Sequence, residues 1–384
     1  MKILFIKEKR GKDGFEGIAS YLFNVCKTLN KLNIQYLILY NSNDKYYRKL
    51  KNNNINVRLI KLPSKSPKNL FHDYLKVIKC RKEIKKIVER EKITHINLHF
   101  PHLLWYLDKS IKLPIITHQH SAFVNNERLK NFYFKDIFNP FKLLRSFYQK
   151  NKVFNFRMSN LIICPSKASK KTTELRFGAD KKKILVNVYG CSEQDISKVK
   201  DIKKKLGFDK KDKIVLSVGR ETKSKGVEDF CAVAKTLYKT NYKFLFLGGY
   251  KDRDYHNYLI KKYDKYVYFL GMKENIDEYF KMSDLKLFLS HREGGPIALY
   301  EAMQFRLPII VWNTIGVNEV VKHGHNGYCC PIGNINKVTH KVRLILENEG
   351  LHKRLSSNSY DYFYKKYNFK DHVDRLLLSF SNLK

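Results

Sequence analysis

Residues 285–303 read LKLFLSHREGGPIALYEAM. The apolar start predicts a buried β-strand, and the turn residues Gly294, Gly295 and Pro296 separate this strand from a helical segment. Glu293 opens the turn and Glu301 lies in the helix, with seven residues between them. A strand, a short loop and a helix in succession are the unit from which parallel α/β sheets are built. One loop and one helix of such a unit therefore carry both acids.

The chemistry of this turn suits a ligand with many hydroxyl and phosphate oxygens. Gly294 and Gly295 allow close approach of the backbone, Pro296 suits the first helical position, and the free amides of a helix N-terminus attract oxygen atoms. Carboxylates accept paired hydrogen bonds from neighbouring hydroxyls, so Glu293 is suited to a sugar ring and Glu301 to a ribose. The pattern indicates a nucleotide-sugar site. The alternative is a strand–loop–helix with two unrelated acids.

Short β-rich runs alternate with helical patterns along the whole chain, which predicts two doubly wound parallel sheets. The boundary between them is expected near residues 190–200. Ligands of such sheets bind outside the carboxyl ends of the strands, so two facing sheets are expected to enclose one cleft. The predicted strands are 3–6, 36–40, 57–60, 96–99, 115–117 and 161–164 in the first half, and 214–218, 244–247, 267–270, 285–289, 309–311 and 327–329 in the second.

Composition indicates a folded protein of 384 residues, with 43% hydrophobic and 14% aromatic residues. No apolar run approaches the roughly 20 residues that span a bilayer. The apolar run 3–6 is shorter than the roughly 7 to 15 residues of a signal-peptide core, so we expect no export. The seven cysteines are scattered and include no C-x-x-C, which argues against a disulfide framework or a zinc site. A bacterial-type cytosol fits best.

The net charge of +39 lies mostly in the first half. Residues 1–190 carry 40 Lys+Arg and 13 Asp+Glu, a difference of +27, and residues 191–384 carry 35 and 23, a difference of +12. Such a field favours an anionic membrane surface, a phosphorylated acceptor or nucleic acid. No nucleic-acid-binding signature is present, so nucleic acid is not expected as a partner. The alternative is a lysine-rich coding bias without a partner.

A second motif lies where residues 214–227 read IVLSVGRETKSKGV. A strand is followed by Gly219 and Arg220, and then Lys225 and Gly226 precede a helix. Arg220 offers a planar fork of donors and Lys225 a compact cation, which together can neutralise a departing diphosphate. A solvated basic turn in a lysine-rich protein is the alternative.

Taken together, these motifs resemble retaining glycosyltransferases of family 4, which have the GT-B fold. The resemblance covers nearly the whole chain, and the matching segments are 14–19, 115–121, 164–167, 219–226 and 293–301. It implies two Rossmann-like, doubly wound domains that face a central cleft. Residues 1–192 would form an acceptor-binding domain and residues 193–361 a donor-binding domain. A C-terminal helix within residues 362–384 would rejoin the first domain.

The resemblance also implies transfer of a sugar from a nucleoside diphosphate sugar, with UDP favoured, with retention at the anomeric carbon, and with no cofactor or required metal. The implied catalytic residues are Arg220, Lys225, Glu293 and His120. The implied donor-binding residues are Gly17, Gly294, Gly295, Pro296 and Glu301. His118 is the alternative to His120, because alternate residues of a strand share a face. Glu319 is a further candidate, or else a surface acid at a helix start.

Three positions depart from the family pattern. Tyr189 stands where an Asn is usual, and Arg306 stands where a Gly is usual, two residues before Pro308. The N-terminal loop has Phe15-Glu16 before Gly17 instead of a pair of glycines. We expect these differences to affect donor contacts near Tyr189 and Gly17, and only a helix end near Arg306.

The acceptor is expected in the basic first half. Residues 132–148 interleave aromatic and cationic side chains, a pattern typical of an interfacial segment or of a buried amphipathic helix. The first interpretation predicts a peripheral protein on the inner face of the cytoplasmic membrane, acting on a lipid-linked or saccharide acceptor of lipopolysaccharide, O-antigen or capsule biosynthesis. Two alternatives remain: a non-catalytic polyanion-binding protein with a degenerate GT-B fold, and another sugar-nucleotide enzyme such as an epimerase or phosphorylase-like protein.

Overall fold

The structure is a computed structural model, and it describes residues 1–9, 17–62, 70–120, 156 and 158–383. The chain divides into two compact units. The first lies within residues 1–187 together with the residues from 373 onward, and the second comprises residues 188–372. Each unit is built around one parallel sheet.

The first unit has a seven-stranded sheet in the order β3-β2-β1-β4-β5-β6-β7, in which every pair is parallel. Its strands are β1 Lys2–Lys7, β2 Gln35–Tyr40, β3 Val57–Leu59, β4 His95–Leu98, β5 Ile115–His118, β6 Leu161–Cys164 and β7 Ile184–Val186. Its helices are α1 Gly17–Lys31, α2 Lys45–Asn52, α3 Leu70–Arg90 and α4 Lys167–Phe177.

The second unit has a six-stranded parallel sheet in the order β10-β9-β8-β11-β12-β13. Its strands are β8 Lys213–Val218, β9 Tyr242–Leu247, β10 Val267–Phe269, β11 Leu285–Phe288, β12 Ile309–Trp312 and β13 Gly327–Cys330. Its helices are α5 Val227–Thr236, α6 Arg253–Tyr263, α7 Ile276–Lys281, α8 Ile297–Gln304, α9 Ile335–Glu347 and α10 Glu349–Lys366. The helix α11 Phe369–Ser381 begins in this unit, and its residues from Val373 belong to the first.

Apolar residues cover both faces of the second sheet. One cluster includes Leu285 and Leu287 of β11 with Val227 and Phe230 of α5. The other lies on the opposite face, beneath α7 and α8, and includes Leu216. A strand that is buried on both faces reads as a nearly continuous apolar run, which is why the strands could be located in the sequence.

All twelve predicted strands are present, and the predicted fold class is confirmed. The short edge strand β7 was not predicted. It has only three residues and follows Lys181, Lys182 and Lys183, so its apolar signal is brief. Among the described residues, no helix has the length and apolar character needed to cross a bilayer.

Candidate functional site

Two loops at the carboxyl edge of the second sheet bring Lys225 and Glu293 together. Lys225 ends a short 3-10 turn after β8, and Glu293 follows β11. Lys225 Nζ donates to Glu293 Oε1 at 2.5 Å. Both side chains are largely shielded, with 24% and 10% of their surfaces exposed. Lys225 and Glu293 are 68 residues apart in the sequence and thus form a long-range ion pair.

Close backbone contacts fix this pairing. Gly226 has φ +63°, and an added Cβ would lie 1.8 Å from the carbonyl oxygen of Leu289. The Ser224 carbonyl oxygen accepts from the backbone amide of His291 at 3.0 Å and from the Ser290 hydroxyl at 3.2 Å. The first loop is therefore hydrogen-bonded directly to the loop that follows β11, which sets the position of both charges.

Arg220 lies beside this ion pair in the same turn. The preceding Gly219 is close enough to Lys225 that a Cβ on Gly219 would lie 3.9 Å from Lys225 Cδ. Arg220 is exposed, and it forms no hydrogen bond or ion pair with any residue that the structure describes. Its guanidinium is therefore accessible to an anion at the same sheet edge as Lys225.

The helix α8 follows the Gly294-Gly295 turn, as predicted, but it begins one residue later than expected. Pro296 is the N-cap with φ −82° and ψ 80°, and Ile297 is the first helical residue. Gly294 is buried and Gly295 is half-buried. The free amides of this helix start thus lie directly after Glu293, where they can meet oxygen atoms of a ligand.

Glu301 lies in the second half of α8. It is half-buried, and its side chain accepts no hydrogen bond from any described residue. Burial, and then repulsion from Asp277 of α7, raise the pKa of the Glu301 carboxyl to about 7, while Lys286 acts in the opposite direction. A polar ligand that donates hydrogen bonds would find both carboxyl oxygens available.

Lys286 of β11 is a residue that the sequence reasoning missed. Its side chain is fully buried, and burial lowers the pKa of its amine to about 7. In the sequence it is a single lysine inside an apolar run, which gives no motif signal. Only a period-2 reading of the strand could have found it, because Lys286 shares a face with Phe288 and not with Leu285 and Leu287.

In the first unit, the predicted residues lie at the carboxyl edge of the sheet. Gly17 is the first residue of α1, so its amide is at a helix N-terminus. His118 ends β5 and His120 follows two residues later. Both rings stack with that of His99, which follows β4, at centroid distances of 4.6 Å and 5.5 Å.

His99 was not among the predicted residues, although the pairing of adjacent strand ends could have pointed to it. Neither ring nitrogen of His99 has a hydrogen-bond partner among the described residues. Burial holds the pKa of this ring well below its ordinary value, and the neighbouring basic side chains act in the same direction. A neutral imidazole therefore lies between Phe5 and the ring of His118.

One ring nitrogen from each of His99, His118 and His120 lies within 4.8 Å of the corresponding nitrogens of the other two. An ion shared by histidines must lie in the plane of each ring, about 2 Å from each nitrogen. The three ring planes are instead nearly parallel, with mutual angles of 13° to 26°. This part of the first unit is therefore arranged as a ring stack and not as converging ligands.

The remaining candidates lie elsewhere. Glu319 is in a turn after β12, and its backbone carbonyl oxygen is 3.5 Å from the Tyr367 hydroxyl. Tyr189 is buried and packs edge-on against His372 at 5.8 Å. Arg306 has φ +59°, the left-handed conformation that a Gly would adopt easily at this helix end, and its guanidinium lies 4.1 Å from the centre of the Tyr360 ring. Residues 14–16 and 132–148 lie outside the described residues.

Two family models match the chain, one for each half. The model described as Glycosyltransferase Family 4 matches residues 15–187, and the model described as Glycosyl transferases group 1 matches residues 198–362. The chain belongs to glycosyltransferase family 4. This glycosyltransferase has the GT-B architecture of two Rossmann-like, parallel-sheet domains.

Curated relatives resemble the glycosyltransferase over different lengths. The N-acetyl-alpha-D-glucosaminyl L-malate synthase of Bacillus anthracis is 24% identical over 294 residues, which are 73% of each chain. The N,N'-diacetylbacillosaminyl-diphospho-undecaprenol alpha-1,3-N-acetylgalactosaminyltransferase of Campylobacter jejuni is 30% identical over 156 residues, which are 41% of each chain. The match to the second relative thus spans well under half of its length.

Solved structures resemble the glycosyltransferase over its full length. A glycosyltransferase from Rickettsia africae has a TM-score of 0.80 at 15% identity, covering 99% of this chain and 97% of that one. Anabaena HepE in complex with UDP has a TM-score of 0.77 at 18% identity, covering 100% of both chains. At these identities, the similarity concerns the fold.

Proposed function

We propose that this glycosyltransferase moves a sugar from a nucleoside diphosphate sugar, with UDP favoured, to a lipid-linked or saccharide acceptor, with retention at the anomeric carbon. The observation that carries the proposal is the ion pair of Lys225 and Glu293, with Arg220 beside it and the start of α8 after it. Cations, a carboxylate and helix amides at one sheet edge are the groups that a charged sugar donor requires.

In this mechanism the cations act on the leaving group. Arg220 and Lys225 stabilise the charge that develops on the nucleoside diphosphate as the bond to the sugar breaks, and such preorganised donors are worth about 3 kcal/mol each. Lys225 turns from Glu293 towards the phosphate as the donor binds. Because these side chains supply the positive charge, we expect transfer to need no divalent metal and to continue in EDTA.

The other residues hold the donor in place. Glu293 and the amides of Gly294 and Gly295 orient the sugar ring, with Pro296 starting the helix behind them, and Glu301 accepts hydrogen bonds from the ribose. From the first unit, Gly17 supplies an amide, and His120 or His118 lines the donor. Glu319 is a further candidate for the same role. No second acid is assigned beside the sugar, so a two-carboxylate double displacement is not proposed.

The acceptor and the setting are inferred from charge and from the relatives. The Campylobacter jejuni relative is named for a diphospho-undecaprenol substrate, and an Erwinia amylovora relative is named for amylovoran biosynthesis. A net charge of +39 attracts anionic lipid and phosphorylated acceptors. We therefore place the enzyme on the inner face of the cytoplasmic membrane, in the synthesis of a cell-surface polysaccharide such as capsule, lipopolysaccharide or O-antigen.

Ligand-dependent stability tests the donor site. Ligands that bind only the folded protein raise its melting temperature. We expect UDP and UDP-sugars to raise it more than GDP or ADP conjugates, and Arg220→Ala and Glu301→Ala to weaken the increase. Lys243→Met, a lysine of β9 paired with Asp212, is the control that should leave the increase unchanged. Tight binding of polyanions without any nucleotide effect would instead favour the degenerate polyanion-binding alternative.

A further inference from the structure

Lys286 occupies an unusual place for a lysine. It is in the middle of β11, its side chain is fully buried, and its Nζ has no hydrogen-bond partner among the described residues. The rings of Phe280 and Phe288 lie 5.5 Å and 5.8 Å from this nitrogen. Burying an unpaired ammonium is costly, and a nearby opposite charge reduces that cost.

The helix α8 supplies that charge. Ala302 of α8 and Phe305, the C-cap of this helix, belong to the apolar cluster that also contains Leu216. Lys286 is paired with Leu216 in the sheet and therefore points to the same face. Glu301 directly precedes Ala302. Lys286 and Glu301 attract each other electrostatically. Glu301 is therefore the acid of α8 whose charge favours the charged form of the buried amine.

Other acidic groups around Glu301 disfavour its ionised form, which Lys286 favours. Asp277 of α7 and the Cys191 thiol both interact electrostatically with Glu301, and burial raises the pKa of each of these two groups. Of the described groups that act on the Glu301 carboxyl, Lys286 is the cation that favours its ionised form, whereas Asp277 opposes it. Without that cation, neighbouring buried carboxyls retain protons, because like charges cannot both be desolvated.

We propose that Lys286 is a positioning residue that keeps Glu301 ionised for the ribose of the donor. The inference rests on the proposed function, in which Glu301 binds that ribose. An ionised carboxylate accepts hydrogen bonds from two vicinal hydroxyls at once, whereas a protonated one must donate at one oxygen. Lys286 touches no ligand in this arrangement. It acts through Glu301 from beneath the site.

The test is the affinity for UDP between pH 6 and pH 9, measured by calorimetry. The proteins are the wild type, Lys286→Met, Glu301→Gln, the double variant, and Lys243→Met as the control. Methionine matches the length and shape of the buried lysine without its charge. We expect Lys286→Met to weaken UDP binding tenfold or more at pH 7, and to match the wild type within a factor of two at pH 9, where Glu301 ionises without help.

Further outcomes separate positioning from damage to the fold. In the Glu301→Gln background, Lys286→Met should have no additional effect, because the group through which it acts is gone. If Lys286→Met weakens UDP binding by the same factor at every pH, or leaves the pH profile of UDP affinity unchanged, the proposed role of Lys286 is contradicted. Failure of the wild type to bind UDP at any pH contradicts the proposed function itself, so the two failures are distinguishable.

Stability without nucleotide gives a second readout. The amine of Lys286 has a pKa of about 7 in the folded protein and 10.5 as its ordinary value. The unfolded chain therefore binds more protons between these values, and stability must rise with pH through that window. Lys286→Met lacks this rise, so its melting temperature relative to the wild type should fall from pH 7 to pH 10. A constant difference would contradict a charged, buried Lys286.

Discussion

Lys225 and Glu293 act as one unit, since each holds the other at the edge of the second sheet. We predict that Lys225→Met and Glu293→Gln each reduce kcat/KM strongly, and that the double variant is little worse than the more damaging single variant. Removing either partner already leaves the other misplaced, so the coupling energy should be about 1 to 3 kcal/mol. Steady-state transfer or hydrolysis of a UDP-sugar measures it.

A neighbouring lysine provides the control for this cycle. Lys223 lies in the same short turn, but its Nζ is 5.9 Å from the Tyr255 ring and it forms no ion pair with a described residue. Lys223→Met should change kcat/KM by less than about threefold, as expected of an exposed charge. If the effects of Lys225→Met and Glu293→Gln on the transition-state free energy add within about 0.5 kcal/mol, Lys225 and Glu293 act independently.

At this scale, motif residues were predictable and their supporting residues were not. Arg220, Lys225, Glu293 and Glu301 could be selected from the sequence, because glycines and a proline mark the turns that carry them. Lys286 could not be selected as a functional candidate. Its importance depends on which helix covers β11, and this packing is a tertiary property that local sequence does not encode.

The turn between β8 and α5 depends on a single glycine. Gly226 has φ +63°, and any Cβ there would meet the Leu289 carbonyl oxygen. We predict that Gly226→Ala destabilises the second unit by at least about 3 kcal/mol, from overpacking against backbone together with the left-handed conformation. Urea unfolding, followed by the fluorescence of the buried Trp312 in a Trp105→Phe background, measures this change.

Gly207 is a matched control in the same unit. It has φ +79°, but an added Cβ would have no atom within 4 Å. Gly207→Ala should therefore cost only the conformational penalty, about 1 kcal/mol. Equal losses in the two variants would mean that the close approach to Leu289 does not constrain the loop, and that Lys225 is positioned in another way.

Element boundaries in the sequence were reliable where turn chemistry is strong. The start of α8 was predicted within one residue because Gly294, Gly295 and Pro296 mark it. The edge strand β7 was missed because edge strands are short and carry little apolar signal. His99 was missed for a different reason, because it joins the ring stack only through the pairing of β4 with β5.

Charge is a property of the whole molecule, and it carries the membrane proposal. We predict that the protein binds vesicles with anionic lipid at low salt, binds neutral vesicles much less, and is released by about 0.5 M salt through screening. Sedimentation with vesicles measures this. One variant replaces lysines 181–183 with acidic residues, and a second replaces lysines 203–205. Their comparison tests whether the first half of the chain contributes most of the binding to anionic vesicles. Equal binding to neutral and anionic vesicles would contradict the proposal.

The alternation of strands and helices also predicted both sheets as whole objects. Local sequence does not determine the strand orders, although right-handed crossovers restrict them to a few possibilities. Strong apolar runs locate the strands, while the register that gathers His99, His118 and His120 at one edge is set by long-range pairing.

The residues of α11 from Val373 onward belong to the first unit, but they are synthesised only after the whole second unit. Val373, Leu376 and Phe380 of α11 are buried, and the Phe380 carbonyl oxygen lies 3.1 Å from Nε2 of His95. The second unit can fold as it emerges, whereas the first waits with an apolar face uncovered throughout that time. A nascent chain of this enzyme therefore offers chaperones a defined surface for a defined period, which closes when α11 arrives.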